Sequence, residues 1–112
     1  MTDFEIKQND TSPAIVSYLQ TPDGEPEDLT GANVLFKMVK ATNRELVIDS
    51  TAEIVDAANG QVRYKWSSED LSEPGNYLAE WEVTWASGTE KEQISTFPNY
   101  EFISIYVFAD NG

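Results

Sequence analysis

A chain of 112 residues with 40% apolar side chains, five Phe, five Tyr and three Trp is long enough for one hydrophobic core and short of the length for two, and too aromatic to stay unfolded. Twenty acidic against seven basic residues give a formal charge of −13, which argues against nucleic acid and anionic membranes as partners, because neutralising phosphates takes Lys and Arg. With no Cys and no His, the chain has no disulfide, no thiolate or imidazole metal site and no Ser-His-Asp arrangement.

The opening MTDFEIKQND has neither a basic n-region nor an apolar h-region, and no run reaches the roughly eighteen apolar residues of a membrane span, so a soluble product is expected. Short runs rich in Val, Ile, Tyr, Phe and Trp then recur between turn signals, and none holds a helical period for three turns. Strands are expected over 4–8, 14–20, 33–40, 45–49, 51–55, 61–66, 76–85, 91–96 and 100–108. Such spacing predicts an all-β domain, a sandwich or barrel.

TPDGEPEDLTG, residues 21–31, reads as loop. Its Asp23, Glu25, Glu27 and Asp28 crowd together without the spacing of an EF-hand, and a solvated surface is the expectation. In NVLFKMVK, Val34, Phe36 and Met38 form an inward set. DAANG is a short hairpin turn in which Gly60 is free to take positive φ. Ala52 and Ile54 share one parity before it, and Val62, Tyr64 and Trp66 share one after it, leaving Gln61, Arg63 and Lys65 for water. SSEDLSEPG has room for one helical turn from Ser67 or Ser68, stopped by Pro74 and Gly75.

GNYLAEWEVTW, residues 75–85, puts Tyr77, Ala79, Trp81, Val83 and Trp85 on one face. Such a row serves as a sugar platform, a docking surface or core. The uniform apolar parity opposite Glu80 and Glu82 favours core for Tyr77, Ala79, Trp81 and Val83. Trp85 abuts the ASGTE turn around Gly88 and is the candidate for an exposed ring. The approach EDLSEPGNY resembles the tyrosine corner of immunoglobulin-like sandwiches, in which the Tyr hydroxyl bonds to backbone just upstream. The fold expected is therefore a single immunoglobulin-like antiparallel β-sandwich of about eight to nine strands over residues 1–112, with Phe36, Trp66, Tyr77 and Trp81 in its core.

YEFISIYVF differs, because both parities are apolar: Ile103, Ile105 and Val107 on one, and Tyr100, Phe102, Tyr106 and Phe108 on the other. A strand of this kind is covered on both sides or keeps a face for another chain. In so small a domain, Phe102, Tyr106 and Phe108 are the expected partner contacts, with Trp85 as a lesser one. No nucleophile, base and oxyanion donors assemble, no catalytic carboxylate pair stands out, and no cofactor or metal is called for.

Taken in order, the pieces are similar to the N-terminal domain family of phage baseplate upper proteins. Asp28 to Ala32 with Val34, Phe36 and Met38 fit its first strand pattern, and Gly60, Val62, Tyr64 and Trp66 fit its G-x-V-x-Y-x-W strand. Asp70, Pro74, Gly75, Tyr77, Ala79, Glu80, Glu82 and Val83 follow, then Gly88 and Thr89, then Pro98. The likeness runs from about residue 12 to 108. It implies a non-enzymatic structural module of a tailed-phage virion, made in the host cytoplasm, that contacts other phage structural proteins and copies of itself in a symmetric assembly. Capsid decoration is a second reading. A carbohydrate-binding module is a third, and it requires Trp81 or Trp85 to be bare.

Overall fold

The computed structural model describes residues 2–98 and 101–110. Among the described residues nine strands form: β1 (Phe4–Lys7), β2 (Ile15–Tyr18), β3 (Ala32–Lys40), β4 (Leu46–Thr51), β5 (Glu53–Asp56), β6 (Gln61–Tyr64), β7 (Gly75–Trp85), β8 (Gln93–Phe97) and β9 (Ile103–Phe108). Two sheets share one core. The larger has the order β1-β9-β7-β3-β4 with β8 also on β7, and the smaller is β2-β6-β5. Every pairing is antiparallel except that of β1 with β9, which is parallel and which local alternation cannot reveal.

The centre of the large sheet is the β3–β7 ladder, in register from Ala32 opposite Trp85 to Lys40 opposite Tyr77. On the other side of β7, β9 takes Gly75–Ala79 and β8 takes Trp81–Trp85, so these two strands lie end to end. The expected closing strand thus pairs only from Ile103, and its Tyr100 lies outside the described residues. The chain changes sheets at Ala52, whose N–H makes a last bond to the Val34 carbonyl at 2.8 Å before Glu53 pairs with Arg63.

The inward parities meet between the sheets. Phe36, Trp81, Ala79, Val83 and Val62 have no exposed surface, and Tyr77 and Trp66 almost none. Phe36 of β3 stacks on Tyr64 of β6 at 4.7 Å between centroids, meets Trp81 at 4.9 Å, and meets Trp66 edge-on at 5.6 Å. Each indole N–H finds an acceptor on another segment: Trp81 donates to Ser17 Oγ on β2 (2.9 Å), Trp66 to the Pro13 carbonyl (3.0 Å) and Trp85 to the Asp28 carbonyl (2.9 Å). A buried N–H without such a partner loses its water and gains nothing.

The connections are set by polar side chains. Between β6 and β7 no helix forms; Asp70 accepts the Ser67 N–H (2.8 Å) and the Tyr64 hydroxyl (2.6 Å), holding a tight turn instead. The Tyr77 hydroxyl donates to the Glu73 carbonyl, four residues upstream, as a tyrosine corner does. The β5–β6 turn is a single 3₁₀ turn at Ala57–Asn59 closed by Gly60 at φ +70°, where a Cβ would run into the Leu19 carbonyl and the Glu27 backbone.

Two measurements follow from this core. Ser17→Ala strands the Trp81 N–H and is expected to cost about 1–3 kcal/mol in urea unfolding. That cost should vanish in a Trp81→Phe background, and its persistence there would contradict the cross-sheet bond. Burial, reinforced by the Asp70 carboxylate, pushes the Tyr64 hydroxyl up to about 12 from an ordinary 10. The fold prefers the neutral phenol, so this stabilisation is complete below pH 10 and drains as pH rises towards 12. An alkaline stability profile should fall through that window, and Tyr64→Phe should flatten the fall.

Candidate functional site

β9 has a dry face and a bare one. Ile105 and Val107 are wholly buried, while Tyr106 and Phe108 point away from the core at 38% exposure each, and Phe102 just before them is 41% exposed. The Tyr106 and Phe108 rings lie 6.4 Å apart, roughly parallel. Arg44, in the β3–β4 turn at φ +63°, places its guanidinium 5.2 Å from the centre of the Phe102 ring. A cation held over an aromatic face fixes that ring without hiding it.

Register extends the patch across the sheet. Leu46 lies opposite Val39, Val39 opposite Leu78 and Leu78 opposite Ser104, one outward row from β4 to β9. Leu46 is 55% exposed. The next row is charged: Lys37 stands between Asp49 and Glu80 and bonds Glu82 at 3.0 Å. That hydrogen bond, with the neighbouring carboxylates, raises the Lys37 pKa and keeps its ammonium charged. The outer face is therefore apolar and aromatic toward the β3–β4 turn and ionic toward the other end.

Tyr106 and Phe108 lie side by side on this face, and Phe102 stands at its edge beyond Ser104 under Arg44, whereas Trp85 is not part of it. Trp85 is half-buried against the core on the opposite face, and its N–H is committed to Asp28. Trp66 and Trp81 are buried, so the described residues hold no pair of bare indoles on which a sugar ring would stack. The sequence reading missed Val39, Leu46, Leu78 and Arg44 as part of this face, since their adjacency to Phe102 depends on cross-strand register. In the 21–31 loop, Asp28 spends its carboxylate on the Thr30 hydroxyl (2.6 Å) and N–H (3.0 Å), and the hydroxyl bond chiefly lowers its pKa. Among the described residues no three acidic groups gather to hold a metal ion.

The family model of the BppU N-terminal domain, that of the baseplate upper protein, matches residues 2–100. This span takes in β1 and stops short of β9, against a sequence expectation of about 12–108. Among solved structures, the N-terminal domain of phage TP901-1 ORF48 is similar in fold, with a TM-score of 0.64 at 21% identity over 92% of this chain and 81% of that one. No curated protein matches the sequence.

The Arg44–Phe102 contact is testable in isolation. A double-mutant cycle with Arg44→Ala and Phe102→Ala is expected to give a coupling of about 0.5–1 kcal/mol in chemical unfolding. A coupling of zero would mean that the ring is not held by the cation.

Proposed function

Since the chain belongs to the BppU N-terminal domain family, we propose that it is a non-enzymatic assembly module of a phage tail or baseplate, immunoglobulin-like in its corner, working in the virion by protein–protein contact. The observation that carries this reading is the aromatic outer half of β9. Phe102, Tyr106 and Phe108 expose large rings that the core does not use, and contiguous exposed aromatics mark interaction surfaces. Arg44 adds a residue type enriched at interface anchors.

Local charge supports contact at this face. Lys7, Lys37 and Arg44 stand among Asp3, Glu5, Asp49, Glu80 and Glu82, a smaller acidic excess than in the chain of −13 as a whole. Copies of the chain and other structural proteins of the particle can meet here without the full repulsion of the net charge. Repetition in a symmetric assembly makes modest single contacts sufficient.

The test is particle assembly with Phe102→Ala and Tyr106→Ala together, beside Val55→Ala on the other sheet as a control. The double variant should melt within a few degrees of the parent and be missing or depleted from purified particles, and the control should be incorporated normally. Incorporation of the double variant at parental stoichiometry would overturn the proposal.

A further inference from the structure

A second surface lies on a different part of the sandwich. Between β2 and the break separating β8 from β9 is a cleft of about 420 Å³, walled by Val16 to Thr21 and by Phe97, Pro98 and Ile103, with Trp81 at its base. It opens on the flank where both sheets end. β1 closes the other half of this flank, burying Ile6 and setting Phe4 5.9 Å from Trp66. Ahead of Phe4, no strand among the described residues covers the outer side of β2 or of β8.

Among the described residues, the long wall of the cleft is a strand edge without a partner strand. Leu19 donates its N–H to the Gly60 carbonyl at 2.8 Å, and Ser17 and Ile15 lie opposite Val62 and Tyr64. Antiparallel alternation then turns the N–H and C=O of Val16 and Tyr18 away from β6. The side chains of Val16 and Tyr18 are 43% and 63% exposed. Free backbone groups in a row beside an apolar cleft are what an added strand requires: main-chain bonds hold it, and alternate side chains enter the cleft.

Charge selects the occupant. The cleft rim runs into the turn at Thr21–Glu25, closed by the Thr21 N–H to Glu25 carbonyl bond and carrying Asp23 and Glu25. The β7–β8 turn, with Glu90 and Glu92, lies at the same end, tied to the 21–31 loop by the Trp85–Asp28 bond. A second copy of a chain of −13 would bring like charge to an acidic rim. We infer that the β2 edge and its cleft accept an extended, Lys- or Arg-bearing segment of another protein, paired as a strand to Val16–Tyr18 with an apolar side chain in the cleft. This inference stands apart from the contact proposed at β9.

The probe is a capped hexapeptide alternating Lys and Val, offered to the full chain, with amide exchange followed residue by residue in NMR spectra. At about ten times its dissociation constant it should slow exchange of the Val16 and Tyr18 amides about tenfold. Added salt should weaken this effect. Phe102→Ala with Tyr106→Ala should leave it unchanged, which separates the result from the fate of the β9 face. Val16→Pro removes an outward N–H while sparing the bonds to β6, and is expected to abolish protection at Tyr18. Should that variant fail to fold, the same peptide N-methylated at alternate amides, along the edge that faces β2, should lose its effect on the parent chain. No slowing by the Lys peptide, equal slowing by a Glu-for-Lys peptide, protection at Gln93–Phe97 instead, or concentration-dependent protection with no peptide present would each overturn the inference.

Discussion

The fold depends on one buried contact between unlike sheets: the Phe36 ring lying between Tyr64 and Trp81, with the Trp81 N–H fastened to Ser17. Aromatic area supplies attraction that is broad but weakly directional. The indole bond supplies direction, because it is satisfied only when β2 sits at one place over β7. Trp66 and Trp85 repeat the device, tying the chain before β2 and the long acidic loop to the same core. In a chain without disulfides, three tryptophans therefore do the positioning that cross-links do in other small β domains.

That core is lopsided. The β3–β7 ladder is nine residues long, whereas every strand of the small sheet has four. The small sheet can cover only the inner face of the large one, so the outer face must be polar or be used. The charged row around Lys37 is the polar solution, and the row through Leu46, Val39 and Leu78 to the β9 aromatics is the other. The two-sided apolar pattern of β9 follows from this geometry: Ile105 and Val107 serve the fold, and Tyr106 and Phe108 are left over from it.

Much of this was legible in the chain itself. Short β-rich runs between turn signals mark the strands, and in most of them period-2 alternation adds which face is inward, because a half-buried strand writes that face at every second residue. Alternation places Tyr77, Ala79, Trp81 and Val83 in the core, and they are buried. Trp85 shares the inward parity but sits at the strand end, where parity no longer says how much cover a ring receives. The stretch from Ser67 has room for one helical turn; it closes as a turn in which Asp70 reaches back to Ser67 and Tyr64, and Pro74 stops any extension. Sheet membership was not legible. Residues 45–55 read as two neighbouring strands, and nothing local says that Ala52 carries the chain from one sheet to the other, or that β1 runs parallel to β9.

Open edges are the hazard of such an architecture, since any strand with free N–H and C=O groups can template another. Here the edges differ in how they are guarded. β5 carries Glu53 and Asp56, with Arg63 turned toward Glu53 at 2.8 Å. β8 mixes Gln93, Ser95 and Thr96 with Ile94, whose side chain is exposed. β2, four residues long with Val16 and Tyr18 exposed, is the edge that borders an apolar cleft. Its protection comes from the acidic turns at one end of the molecule, which repel a second copy by net charge while leaving a basic strand free to approach. A negative surface thus acts as a filter: it keeps identical edges apart in solution and leaves the edge beside the cleft to a partner of opposite charge.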